Sequence, residues 1–194
     1  MARLCNLRIS VRRISVRRAT QRWTLVSCVA VFGMQLGTGP AYADYLEGGM
    51  STPVFSIQTY GVNDTWANWF NGARHRWNDT PTPASIRRTI KDVPRDITAG
   101  RYDDSWAGNY MYAGTRERRT FLIRVNARRL AEEIEPGGRG FALAAIGTSV
   151  HELGHALSLA DNPETSRSSI MKYSKPLTRT HPYDYDIDEV NRIY

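Results

Sequence analysis

Two histidines one helical turn apart, His151 and His155, sit in a strongly apolar stretch of this 194-residue chain. The pattern predicts a helix from about Arg139 to Leu159, opened by Gly137-Gly138, with Phe141, Leu143, Ala144, Ala145, Ile146, Val150 and Leu153 surrounding much of it. A helix apolar on most sides belongs in the interior, whereas a surface helix keeps a broad polar face. His151 and His155 therefore enter that interior on one face, because residues i and i+4 stack along a helix. Two imidazoles so placed can each aim a nitrogen at one cation. Glu152 lies about a quarter-turn round, beside the cation's open position, where it can take a proton from water and later give it to a leaving amine. Zinc is the expected metal, since it favours imidazole and leaves a fourth position open in catalytic sites.

A catalytic zinc takes three protein ligands. Asp161 follows His155 by six residues, and a helix stopping near Ser158 would fold its carboxylate back towards the same cation. His181, Asp184 and Glu189 compete for that position. Glu189, on the next helix, would complete a set of two histidines and one carboxylate, while His181 before Pro182 reads more simply as a loop residue.

The formal charge of +7 is unevenly placed. Seven of the 26 basic residues and none of the 19 acidic ones precede residue 44, so the remainder carries 19 of each. The basic pI thus says nothing about nucleic acid, which is not expected as a partner. Residues 1–43 read as a secretory signal: an Arg-rich start ending at Arg22, an apolar run from Trp23 to Leu36, a Gly37–Pro40 break, and Ala41-Tyr42-Ala43 before Asp44. That run is too short to span a bilayer stably. The expectation is a secreted, extracellular chain with no membrane attachment after cleavage. Cys5 and Cys28 both lie in this leader, so residues 44–194 can form no disulfide and must rely on a packed core, a metal, or both.

Within residues 44–194 the run Val54–Tyr60 reads as a strand. Asn63 or Asp64 caps a helix to about Asn78, with Trp66, Trp69, Phe70, Ala73 and Trp77 as its core stripe and His75 solvated. Strands follow at Ser85–Ile90, Tyr110–Tyr112 and Thr120–Asn126, the last two around a charged turn at Gly114–Arg119. The stretch 91–107 reads as polar and turn-rich; Asp103-Asp104 is a possible but unsupported calcium contact, and an exposed loop explains it as well. Six arginines between Arg116 and Arg129 are accompanied by Glu117 and closely followed by Glu132, Glu133 and Glu135, and read as a solvated mixed-charge surface. A final helix is expected at Asp184–Ile193, capped by Asp184 and turning Ile187, Val190 and Ile193 inward.

From His151 to Tyr173 the chain resembles the metzincin clan of zinc metallopeptidases, whose pattern is HExxHxxGxxH/D followed by a methionine-containing turn. Ser168-Ser169-Ile170-Met171-Lys172-Tyr173 resembles that turn. The resemblance implies that Met171 forms an apolar floor beneath the metal, and that Tyr173 acts as the switch tyrosine of the astacin and serralysin branches, donating its hydroxyl to an oxyanion. Asp161 stands where histidine is commoner, as in the snapalysin branch, and Ser158 stands where glycine usually permits a sharp turn. The general look is that of small bacterial matrixin-like enzymes.

The implied architecture is one α+β domain of metzincin-like zincin fold over residues 44–194: a small twisted mixed sheet, two larger helices and a C-terminal helix. The implied activity is zinc-dependent endopeptidase cleavage by a monomer, with a protein or peptide substrate extended along an edge strand near Asn109–Ala113. The rival is a secreted binding protein that kept the scaffold and lost catalysis, with Ser158 as its main support. A closed structural zinc site is disfavoured because such sites use four protein ligands, often with cysteine.

Overall fold

The computed structural model describes residues 44–173 and 175–194. The expected signal segment, residues 1–43, lies outside them. Five strands form one mixed sheet: β1 (Val54–Thr59), β2 (Ser85–Thr89), β3 (Arg95–Gly100), β4 (Gly108–Ala113) and β5 (Thr120–Asn126), in the order β2-β1-β3-β5-β4. The first four in that order run parallel, and β4 returns antiparallel along β5, with Gly108 opposite Val125 and Tyr112 opposite Phe121. Four α-helices complete the architecture: α1 (Asp64–Asn78), α2 (Ala127–Glu133), α3 (Arg139–Ala156) and α4 (Asp184–Ile193).

The core lies between one face of the sheet and helices α1 and α3. Phe55, Ile57, Ile86, Ile97, Phe121, Ile123 and Val125 supply the sheet side, at every second position of their strands, as a pleated backbone requires. Phe70, Ala73 and Trp77 bring the expected stripe of α1 against them. Asn63 caps this helix, accepting from Trp66 N at 3.1 Å, and His75 is exposed. Trp77 locks α1 to α3, its indole Nε1 donating to Val150 O at 2.9 Å. From Gly147 to Ala156 every residue of α3 is buried, as the near-continuous apolar pattern predicts.

The structure departs from the sequence reading in four places. The stretch 91–107 is not all loop: it contains β3, the middle strand of the sheet. Only Ile97 in that strand is fully buried, and Arg95 caps its start by donating Nε to Ser56 O at 2.8 Å, so the segment carries too few apolar residues to show as a strand. Asp103-Asp104 falls in an exposed loop after it, where Asp103 pairs with Arg128 at 3.1 Å. A second correction is α2, seven residues that continue directly from β5, where Asn126 Oδ1 accepts from Arg128 N and Arg129 N. The third is at α4: the cap position is Tyr183 and not Asp184, and Asp186 accepts from Tyr183 N at 2.8 Å. Finally, α3 ends at Ala156, earlier than the pattern suggested.

That early end depends on Ser158. It adopts φ 65°, the left-handed conformation that costs an L-residue about 1–2 kcal/mol. Its backbone N–H donates to His155 O, and its buried hydroxyl meets the Tyr194 hydroxyl at 3.1 Å. The segment Asp44–Met50 braces the same turn: Leu46 N donates to Ser158 O at 2.8 Å, Met50 N to Ala156 O at 2.9 Å, and Ala160 N to Asp44 O at 2.9 Å. Serine therefore takes the backbone that glycine would take at this position.

Candidate metal centre

Helix α3 delivers both imidazoles to one side, 5.0 Å apart between ring centres and perpendicular. Each ring is held by its far nitrogen. His151 Nδ1 donates to Ile170 O at 2.9 Å, and His155 Nδ1 donates to Leu159 O at 2.9 Å, carbonyls being acceptors only. This commits both protons to Nδ1 and leaves the Nε2 lone pairs facing inward, which is the arrangement a metal-binding histidine needs.

The turn at Ser158 brings Asp161 back over α3. Asp161 Oδ1 lies 3.0 Å from His151 Nε2 and 3.5 Å from His155 Nε2. All three donor atoms fall within 4.8 Å of one another. Tetrahedral zinc with ligand bonds near 2.0–2.1 Å separates its ligand atoms by about 3.3 Å, so the two observed separations bracket the expected one. Burial lowers the His155 pKa to about 4, keeping that ring neutral and its lone pair free. Burial works to raise the Asp161 carboxyl, but its close contacts with His151, His155 and Tyr173 outweigh burial and hold it below its usual value. Two imidazoles with one carboxylate are a donor set suited to a divalent zinc ion.

Glu152 stands next to this group, buried, with its pKa pushed up to about 7 by desolvation, opposed by His151 and Lys175 and reinforced by Asp161. Its carboxylate is packed against the first residue of β4. A Cβ on Gly108 would fall 2.2 Å from Glu152 Oε1, so only glycine lets the edge strand approach this closely. Met171 is fully buried and packs against α3 at Gly154, where a Cβ would meet its Sδ at 2.5 Å. The turn carrying Met171 is fastened to α4. Asp186 accepts from Ile170 N and Tyr183 N, both at 2.8 Å, and from the Ser169 hydroxyl. Tyr173 is 67% exposed, its ring 6.4 Å from that of His151. Its hydroxyl bonds Asp161, and partial desolvation followed by that carboxylate pushes its pKa up to about 12.

The structure thus brings together His151, Glu152, His155, Asp161, Met171 and Tyr173. It places the competing residues elsewhere: His181 is exposed and bonded to Thr180, Asp184 is exposed on α4, and Glu189 pairs with Arg192. A cleft of about 670 Å³ opens over the centre, lined by β4 residues including Gly108 and Tyr110, by Thr148 of α3, and by Tyr173, Lys175 and Leu177. Gly108, Asp186 and Lys175 were missed in the sequence. Asp186 carried a faint signal, an acid three residues after a helix start, whereas Gly108 and Lys175 matter only through contacts between distant segments.

No family model matches the sequence, and no curated protein matches it. Solved structures do. The chain is similar to one in the GM1-bound form of the ECX AB5 holotoxin, with a TM-score of 0.55 at 15% identity, covering 78% of this chain and 86% of that one. It is also similar to myroilysin, with a TM-score of 0.50 at 13% identity, covering 79% and 86%. At these identities the likeness is one of fold. Among the described residues no helix is long and apolar enough to cross a membrane.

Proposed function

We propose that this chain is a secreted zinc-dependent endopeptidase of metzincin type. The observation that carries this reading is the convergence of His151 Nε2, His155 Nε2 and Asp161 Oδ1, with the buried Glu152 beside them at the foot of an open cleft. The fold likeness to myroilysin and the metzincin-like motif from His151 to Tyr173 support it.

His151, His155 and Asp161 would hold the ion, which when bound supplies Lewis acidity towards the scissile carbonyl and towards water. Glu152 Oε1 and Oε2 take a proton from the attacking water and pass it to the leaving amine, a role suited to a carboxylate whose pKa is near 7. The amide C–N bond breaks, water supplies OH to the carbonyl carbon, and the proton leaves on nitrogen. Tyr173, released from Asp161, donates its hydroxyl to the oxyanion. The substrate backbone pairs with β4, which has β5 on one side and is the last strand of the sheet on the other.

Metal analysis of the purified secreted protein, with casein digestion and Glu152→Ala as control, tests the reading. One zinc per chain with cleavage abolished in the variant is expected. Cleavage unaffected by Glu152→Ala would sink it. The alternative, a binding protein that has lost catalysis, draws less support now that Ser158 adopts the turn and Asp161 reaches the histidines.

A further inference from the structure

Lys175 has no part in the proton movements above, yet it lines the same cleft. The chain beyond Met171 crosses α3 at Gly147, where a Cβ would meet Arg179 O at 2.2 Å and Leu177 O at 2.8 Å. Gly147 lies one turn before His151. Lys175 therefore stands towards the Thr148, Gly108 and Glu152 end of the cleft. Leu46, bonded to Ser158 O, lines the part of the cleft where α3 terminates.

Its ammonium lies 3.4 Å from His151 Nδ1. That nitrogen's shorter contact is to Ile170 O at 2.9 Å, so the ammonium's contact with it is long and brings no negative charge. Among the described residues no carboxylate comes within the 4.0 Å of an ion pair with Lys175. The acids that act on it from farther away are Glu152, Asp161 and Asp186. Asp186 is occupied by Ser169, Ile170 and Tyr183, Asp161 faces the imidazoles, and Glu152 is packed on Gly108. A half-buried ammonium left without a close counter-ion is costly, and an anion reaching it from the cleft removes that cost.

We propose that Lys175 is a specificity-determining residue, receiving the side-chain carboxylate of an Asp or Glu that follows the scissile bond. This rests on the peptidase reading. Glu152 hands its proton to the leaving amine, so the residue supplying that amine lies at the Glu152 end of the cleft, beside Lys175.

A library of C-terminally amidated peptides, which carries no free terminal carboxylate, tests this on the zinc-loaded protein. Asp and Glu are expected just after the cut with kcat/KM about tenfold above their amides, the size of one charge-assisted hydrogen bond. Lys175→Met abolishes the preference and Lys175→Glu turns it towards Lys and Arg, with zinc content and thermal melting checking that both variants fold. In the Glu152→Ala background, an intact Asp peptide binds about tenfold more tightly than its Asn counterpart, and adding Lys175→Met removes the difference. Cleavage with no acidic preference after the cut, or a preference that survives Lys175→Met, overturns the inference and leaves the peptidase reading standing. Absence of any cleavage sinks both.

Discussion

His151 and His155 each spend Nδ1 on a backbone carbonyl, so the direction of both lone pairs is set by main-chain atoms and not by a metal. Asp161 is the ligand candidate with the least support from its surroundings: it is partly exposed, and its position depends on the turn at Ser158 and on contacts with Tyr173. Asp161→Ala is therefore expected to lose zinc, while Asp161→His, which restores a donor of similar reach, keeps it. Stoichiometric zinc in the alanine variant would refute the assignment. Glu152 and His155 also make opposite pH signatures in the chelated protein. The folded-state pKa of Glu152 is raised from 4.5 to about 7, so its contribution to stability is full below pH 4.5 and lost as pH rises through 7. That of His155 is lowered from 6.5 to about 4, so its contribution is full above pH 6.5 and lost as pH falls through 4. Each contribution is on the order of 3 kcal/mol, and in wild type they largely cancel. Glu152→Gln removes the first alone. Its stability relative to wild type should rise by about 3 kcal/mol between pH 4.5 and 7; parallel urea titrations giving a constant difference would contradict this.

At the scale of elements, the centre is assembled from α3, the Met171 turn and α4, and Asp186 is the link between the last two. Its carboxylate bonds Ile170 N, and Ile170 O in turn orients His151. Asp186→Asn exchanges one acceptor oxygen for a donor among three donors. It should cost about 2–4 kcal/mol in a urea melt and weaken zinc binding about 10- to 100-fold. An unchanged midpoint and affinity would show that the turn holds itself. Much at this scale was readable beforehand. Helix α1 with its Asn63 cap and aromatic stripe, the span of α4, and strands β1, β2 and β5 follow from periodicity and punctuation. Strand β3 did not, because Ile97 is its single fully buried side chain and its pairing with β1 and β5 is supplied by those strands. The exit of α3 is not legible locally, since nothing near Ser158 in sequence makes serine accept φ 65°. The Tyr194 hydroxyl and the Asp44–Met50 segment do, from opposite ends of the described chain.

For the molecule as a whole, the absence of cysteine from residues 44–194 excludes disulfides there and leaves stabilisation to the packed core and to whatever ion the His151, His155 and Asp161 group takes up. The three candidate ligands span two segments that meet only in the folded state, so a zinc ion held by them would bind the native chain in preference to the unfolded one. At free zinc one hundred times its Kd this adds about 2.7 kcal/mol, which for a domain of this size raises Tm by about 5–10 °C. Calorimetry at two zinc concentrations checks this, and a Tm independent of zinc would remove the coupling. The sheet order, with β4 antiparallel at its edge, sets the other large-scale feature, a cleft lined along one side by Gly108, Asn109, Tyr110 and Tyr112 of β4.

The sequence by itself determined the pairing of His151 with His155, because helical period alone stacks residues i and i+4, and it determined that their helix would be interior, because few polar residues were available to face water. It also named Asp161, Met171 and Tyr173 as candidates through motif resemblance. Only the tertiary structure decided that Asp161, and not His181, Asp184 or Glu189, lies within reach of the two imidazoles. The reason is physical: helical spacing is a local property, whereas the return of Asp161 requires a left-handed serine that distant segments hold in place. The same holds for Gly108 under Glu152 and for Lys175 against His151, contacts that no stretch of sequence contains.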